Sequence, residues 1–214
     1  MRRGVALAGS ALGVAVLAGA LILLAGDGSP QAARTAGQQQ PAPGDPLTPE
    51  EVGRASEIAN RRHMAGGRVE LLYVERDDDK AHEGDRRAAA YFYDYARDTL
   101  VVRTVDLGRG EVVAESKAAG AQPPPSRREE VVAAELLLAD PRLGRGVRAE
   151  YARAAGRPLR SASDLGLRGL IFRGGPCRTH RCVRLFVRLP DERFLDTSRI
   201  VVDLSAKKIH TLEW

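Results

Sequence analysis

The chain has 214 residues, with 33 Lys and Arg against 28 Asp and Glu for a net charge of +5, 5% aromatic residues and two cysteines. That length suits one ordinary domain or two small ones and leaves no room for a large enzyme. The slight basic excess is interspersed along the chain, without the charged stripe or reading element of a nucleic-acid binder, so no nucleic-acid partner is expected.

Gly4 to Gly26 runs 23 residues without a charged side chain, directly after Arg2 and Arg3. About 20 apolar residues suffice to cross a bilayer as a helix, and flanking positive charge stays on the cytoplasmic side. Residues 1–26 are therefore expected to be a signal anchor or signal peptide, with membrane contact through 4–26 and the remainder outside. The clean small-x-small cleavage site, Ala18-Gly19-Ala20, would leave Leu21 to Leu24 on the new N-terminus, which favours an uncleaved anchor. The Arg pair lacks the usual flanks of a twin-arginine signal. Gly9 and Gly13 have the small-xxx-small spacing that permits a homodimer. Residues 27–47 turn to Gly, Pro, Gln, Ala and Ser, the composition of a disordered linker.

Thr48-Pro49-Glu50-Glu51 starts a helix: Thr48 caps, Pro49 suits the first position and Glu51 completes a capping box. After Gly66-Gly67 the period becomes extended, predicting strands over 69–75, 88–95, 99–105 and 111–115. The pattern then repeats. Ser126 to Glu129 is a second capping box, its helix ends near Asp140-Pro141, and a further helical piece spans 143–155 before Gly156. Strands follow over 167–173, 183–189, 199–204 and 208–212, and Thr104-Val105-Asp106-Leu107 aligns with Val201-Val202-Asp203-Leu204. The expected class is α+β: two tandem units, 48–122 and 123–214, each a helix packed on a four-stranded antiparallel sheet.

Asp45 to Glu51, Tyr91-Phe92-Tyr93-Asp94, Val105-Asp106-Leu107 with Glu111-Val112-Val113, Gln122-Pro123-Pro124 and Ala139-Asp140-Pro141-Arg142 occur in that order. These runs resemble the N2 domain and the N2 to N3 junction of copper amine oxidases, most clearly over residues 45–155. The resemblance implies two cystatin-like units peripheral to the chemistry of those enzymes, present without the catalytic domain. The chain is also similar to exported actinobacterial proteins that carry such a unit behind a Tat pathway signal segment. The family's chemistry needs a Tyr in Asn-Tyr-Asp/Glu and three copper-binding histidines, two of them in a His-x-His pair. The sole Asn here is Asn60, followed by Arg61, and His63, His82, His180 and His210 are scattered. No amine oxidation, catalytic residue, metal or other cofactor is expected.

Cys177 and Cys182 flank Arg178-Thr179-His180-Arg181 between two predicted strands, and in an oxidising compartment an even pair reads as a disulfide. A Cys-His-Cys metal loop through His180 is the competing reading, with an incomplete ligand set. Ser126, Ser161, Ser163 and Ser198 lack a nucleophile elbow, and Asp106 and Asp203 read as turn residues. Tyr91, Tyr93 and Tyr95 alternate with Phe92 along one strand, so one set is core and the other, if exposed, is a contact surface. The expected function is a non-catalytic exported cell-envelope protein, an interaction module for an envelope protein or wall component. A metal-handling accessory of an amine oxidase is the alternative. Protease inhibition, suggested by cystatin-like shape alone, has no inhibitory hairpin signature behind it.

Overall fold

The computed structural model describes residues 41–61, 68–82 and 84–213, and Gln40–Trp214 forms one compact unit. The expected membrane segment 4–26, the linker up to residue 40 and His63 lie outside the described residues. Among the described residues no helix is long and apolar enough to cross a membrane.

The element order is α1 (Pro49–Asn60), β1 (Val69–Arg76), β2 (Arg87–Asp94), β3 (Thr99–Asp106), β4 (Glu111–Ala119), α2 (Arg127–Ala139), α3 (Leu143–Ala155), β5 (Gly166–Phe172), β6 (Cys182–Arg188), β7 (Ile200–Asp203) and β8 (Lys208–Thr211). The strands form two separate antiparallel sheets, β1-β2-β3-β4 and β5-β6-β7-β8, each a simple meander. The fold is thus mixed helix and antiparallel sheet, with three helices on two four-stranded sheets.

Alternation along β2 and β3 builds the first core. Ala88, Ala90 and Phe92 face Ala55, Ile58 and Ala59 of α1, joined by Val101 and Val105 from β3. The small alanines let the helix lie close to the sheet. The second core gathers Ala133, Ala134 and Leu137 of α2, Val147 and Tyr151 of α3, and Leu167, Val183, Leu185 and Val187 of the sheet. The helix α3 crosses α2 so closely that a Cβ on Gly144 would sit 2.2 Å from the Leu138 carbonyl oxygen. Backbone cannot yield as a side chain can. Gly144→Ala is expected to lower unfolding stability by about 2 kcal/mol in a denaturant titration.

Both predicted capping boxes are present. The Thr48 hydroxyl accepts from the Glu51 N–H at 3.2 Å while Glu51 accepts from the Thr48 N–H at 2.8 Å. Ser126 and Glu129 repeat the exchange at 3.1 and 2.9 Å. Glu51 is also held by Arg86, whose Nε and Nη2 donate to its two oxygens at 2.8 and 2.6 Å. That pair drops the Glu51 pKa from 4.5 to about 2, the Arg86 hydrogen bond being the main cause. A depressed carboxylate contributes stability above its unfolded pKa and loses it as pH falls toward the folded one. At neutral pH Glu51→Gln is expected to cost roughly 1 to 2 kcal/mol after solvent screening. In thermal melts the gap between the two proteins should close as pH falls from 4.5 to about 2.

Candidate functional site

The residues that join the two sheets start from the alternation of β2. Its face away from α1 carries Tyr91 and Tyr93, continued by Tyr95, and this is the strip that sequence offered as a contact surface. The structure corrects that expectation. Tyr93 is completely buried, Tyr95 packs against the second core, and Tyr91 is half-buried, stacked on Tyr73 with ring centroids 4.6 Å apart. The reason is a cover that arrives from distant sequence: the loop before β6 lays Arg181 over the Tyr93 ring, 4.6 Å from its centroid.

Arg181 is wholly buried. Its Nε and Nη2 donate to the two oxygens of Glu129 at 2.5 and 2.8 Å, and its Nη1 and Nη2 donate to the carbonyls of Pro123 and Pro124 at 3.1 and 3.3 Å. Glu129 also accepts from the Tyr95 hydroxyl at 2.6 Å. Burial, followed by the Glu129 charge, pushes the Tyr95 pKa well up, so that phenol stays a donor. Asp98 extends the network, accepting from the Tyr93 hydroxyl and, at 2.9 Å, from Gln122 Nε2. The same Gln122 amide lies 3.1 Å from the His180 carbonyl oxygen. This buried, hydrogen-bonded ion pair joins the two sheets.

Arg86 and Arg181 are counterparts in the internal repeat. Each precedes the second strand of its sheet and grips the capping-box Glu of its own helix. Each also donates to carbonyls of the segment before that helix, Arg86 reaching those of Ala42, Pro43, Asp45 and Pro46. Each lends its own carbonyl to the Leu that follows the repeated Asp, Leu107 and Leu204, at 2.9 Å in both. Sequence reading missed both arginines. The signal was present as a repeat-equivalent position, hidden among 33 basic residues.

Cys177 and Cys182 form a disulfide, with Cα atoms 5.7 Å apart and both residues buried. It closes the loop that delivers Arg181. With the sulfurs bonded to each other, His180 turns to Asp203, its Nδ1 2.6 Å from Oδ2. His210 Nε2 lies 3.5 Å from the same oxygen and makes no hydrogen bond among the described residues. Asp203 Oδ1 accepts from the Ala206 N–H, and Asp106 Oδ1 accepts from the Arg109 N–H, so both repeated carboxylates do perform turn chemistry. Among the described residues no group of three or more His, Cys, Asp or Glu is placed to hold a metal ion. Ser126 is a cap, and the Ser198 hydroxyl donates to Asp196 within its own turn.

The exposed apolar surface lies elsewhere, on the outer face of the second sheet. Leu170, Phe186 and Phe194 are 59%, 40% and 62% exposed, the large hydrophobic side chains most open to solvent among the described residues. Register sets each of them opposite an arginine: Phe186 pairs with Arg168, Leu170 with Arg184, and Phe194 with Arg188. Neither β5 nor β6 contains an acidic residue. Against known proteins, no family model matches the chain, and no curated protein matches it. Among solved structures, it is similar to a copper-containing benzylamine oxidase from Hansenula polymorpha at 14% identity and a TM-score of 0.49, over 81% of this chain. This chain spans 30% of that enzyme's chain, a distant structural likeness.

Proposed function

We propose that the protein is a non-catalytic exported module of the cell envelope, held at the membrane by residues 4–26 and docking through the outer face of its second sheet. The observation that carries the reading is the exposure of Leu170, Phe186 and Phe194 together on that face. Clustered apolar side chains open to solvent mark interaction surfaces, whereas single ones need no explanation. The Arg181 and Glu129 junction supports it too, because a docking surface gains from a rigid platform that loses little entropy on contact. We further read the units as cystatin-like, akin to the N2 and N3 domains of copper amine oxidases without their catalytic domain. That reading rests on the runs Asp45–Glu51, Tyr91–Asp94 and Ala139–Arg142, and a copper or quinone role has no matching residues to carry it.

The test compares the full chain with Leu170→Ser/Phe186→Ser/Phe194→Ser in its own envelope. These side chains keep part of their area covered, so the variant is expected to melt somewhat lower, and the contacts are compared well below its melting temperature. The variant is expected to lose most of its cross-linked envelope contacts. Retention of the same contacts would rule this face out as the docking surface.

A further inference from the structure

The chemistry of the same face names what it docks on; this inference deepens the docking reading and rests on it. We infer that the outer face of the second sheet seats on an anionic phospholipid surface. Three observations converge. Apolar and cationic side chains alternate across strands, as Phe186 with Arg168, Leu170 with Arg184 and Phe194 with Arg188, so every exposed apolar tip has a guanidinium beside it. Peripheral membrane surfaces need that combination: apolar tips that enter the headgroup boundary and cations that meet lipid phosphates.

Second, these arginines are weakly committed elsewhere. Arg168 reaches only its neighbour's carbonyl, that of Leu167, at 3.4 Å. Arg184 stacks on Phe172, 5.1 Å from the ring centroid, with its Nε buried and without a hydrogen-bond partner among the described residues, and no carboxylate pairs with its guanidinium there. Arg188 pairs with Glu192, but both side chains are open to water, where such a pair is worth little and gives way to a phosphate. Third, Arg127 joins Arg168, Arg188 and Phe194 around a cavity of about 440 Å³ at the outer edge of β5, where Glu130 accepts from the Gly169 N–H at 2.7 Å. Arg127 is tied to Glu130 and to the Leu167 carbonyl, both at 3.2 Å, which fixes its guanidinium at that edge. Three forked donors around one hollow suit a phosphate headgroup, since guanidinium matches phosphate geometry in pairs of hydrogen bonds.

The apolar stretch 4–26 adds proximity. The expected linker is shorter than 27–47, because Arg86 holds the carbonyls of Ala42, Pro43, Asp45 and Pro46 against the folded unit. A flexible tether of the length of 27–40 averages roughly 20 Å end to end, so a module on it meets the bilayer often and weak affinity suffices.

The experiment uses the full chain carrying Phe186→Trp, with the unsubstituted chain and its Trp214 as background. Each is mixed with phosphatidylcholine vesicles bearing brominated acyl chains, with or without an equal share of phosphatidylglycerol. Because the reporter sits on the sheet face, lipid contact by residues 4–26 does not mimic the signal. The expected result is strong quenching of the introduced indole's emission in anionic vesicles and little in neutral ones, weakening as salt is raised. Arg168→Gln/Arg184→Gln/Arg188→Gln should lower apparent vesicle affinity on the order of a hundredfold. Equal quenching in both lipids overturns the inference. So does no quenching in either. In that last case, if the triple serine variant still loses its envelope contacts, docking stands and its partner is a protein or wall component. If it keeps them, both readings fall.

Discussion

Arg181→Met is expected to lower unfolding stability by about 3 to 5 kcal/mol. The side chain has no exposure to solvent, and its partner Glu129 is nearly as buried. Taking the guanidinium away strands a carboxylate in the interior with only the Tyr95 hydroxyl and the Ser126 N–H as donors. Breaking a buried pair from one side costs more than the pair contributes, because the remaining charge keeps its desolvation penalty. Arg181→Met/Glu129→Gln should therefore recover part of the loss, since a neutral amide can still accept from Ser126. Denaturant unfolding of the two variants beside the parent measures this, and a double variant no more stable than Arg181→Met would refute the buried-charge argument.

Cys177→Ser/Cys182→Ser should cost about 2 to 4 kcal/mol. The bridge closes a short loop, so its direct entropic effect is modest. A second contribution comes through position, because Arg181 immediately precedes Cys182 and the loop must be ordered for its guanidinium to reach Glu129. The two perturbations share one structure and should not add: combining the serine pair with Arg181→Met is expected to fall short of the sum by at least about 1 kcal/mol. Full additivity in the same titrations would mean that the disulfide does not position Arg181.

Local chemistry made much of this fold legible. Thr48 with Glu51, and Ser126 with Glu129, announced two helix starts because a capping box is written within four residues. The strands of each sheet could be read from alternation, and the meander order from short turns such as Gly108-Arg109-Gly110, where Gly110 takes φ 71°. The surface was less legible. Alternation in β2 separates Ala88, Ala90 and Phe92 from Tyr91, Tyr93 and Tyr95 but cannot say which set meets water. That is decided by Arg181, which lies far along the chain and resembles any other loop arginine until the repeat aligns it with Arg86. The outer face of the second sheet was hidden for a related reason. In β5 and β6 apolar residues fall on both faces, as in Leu170-Ile171-Phe172 and Leu185-Phe186-Val187, so alternation does not mark an inner face and the register is what shows that Phe186 and Leu170 point away from the core.

The most direct measurement for the central claim is site-specific photo-crosslinking in intact cells, with benzoylphenylalanine at Phe186 in the full chain and, as a control, at the buried Phe92. The docking account predicts an intermolecular adduct from position 186, to lipid or to an envelope component, and none from position 92. A chain that forms no adduct from position 186 would contradict it.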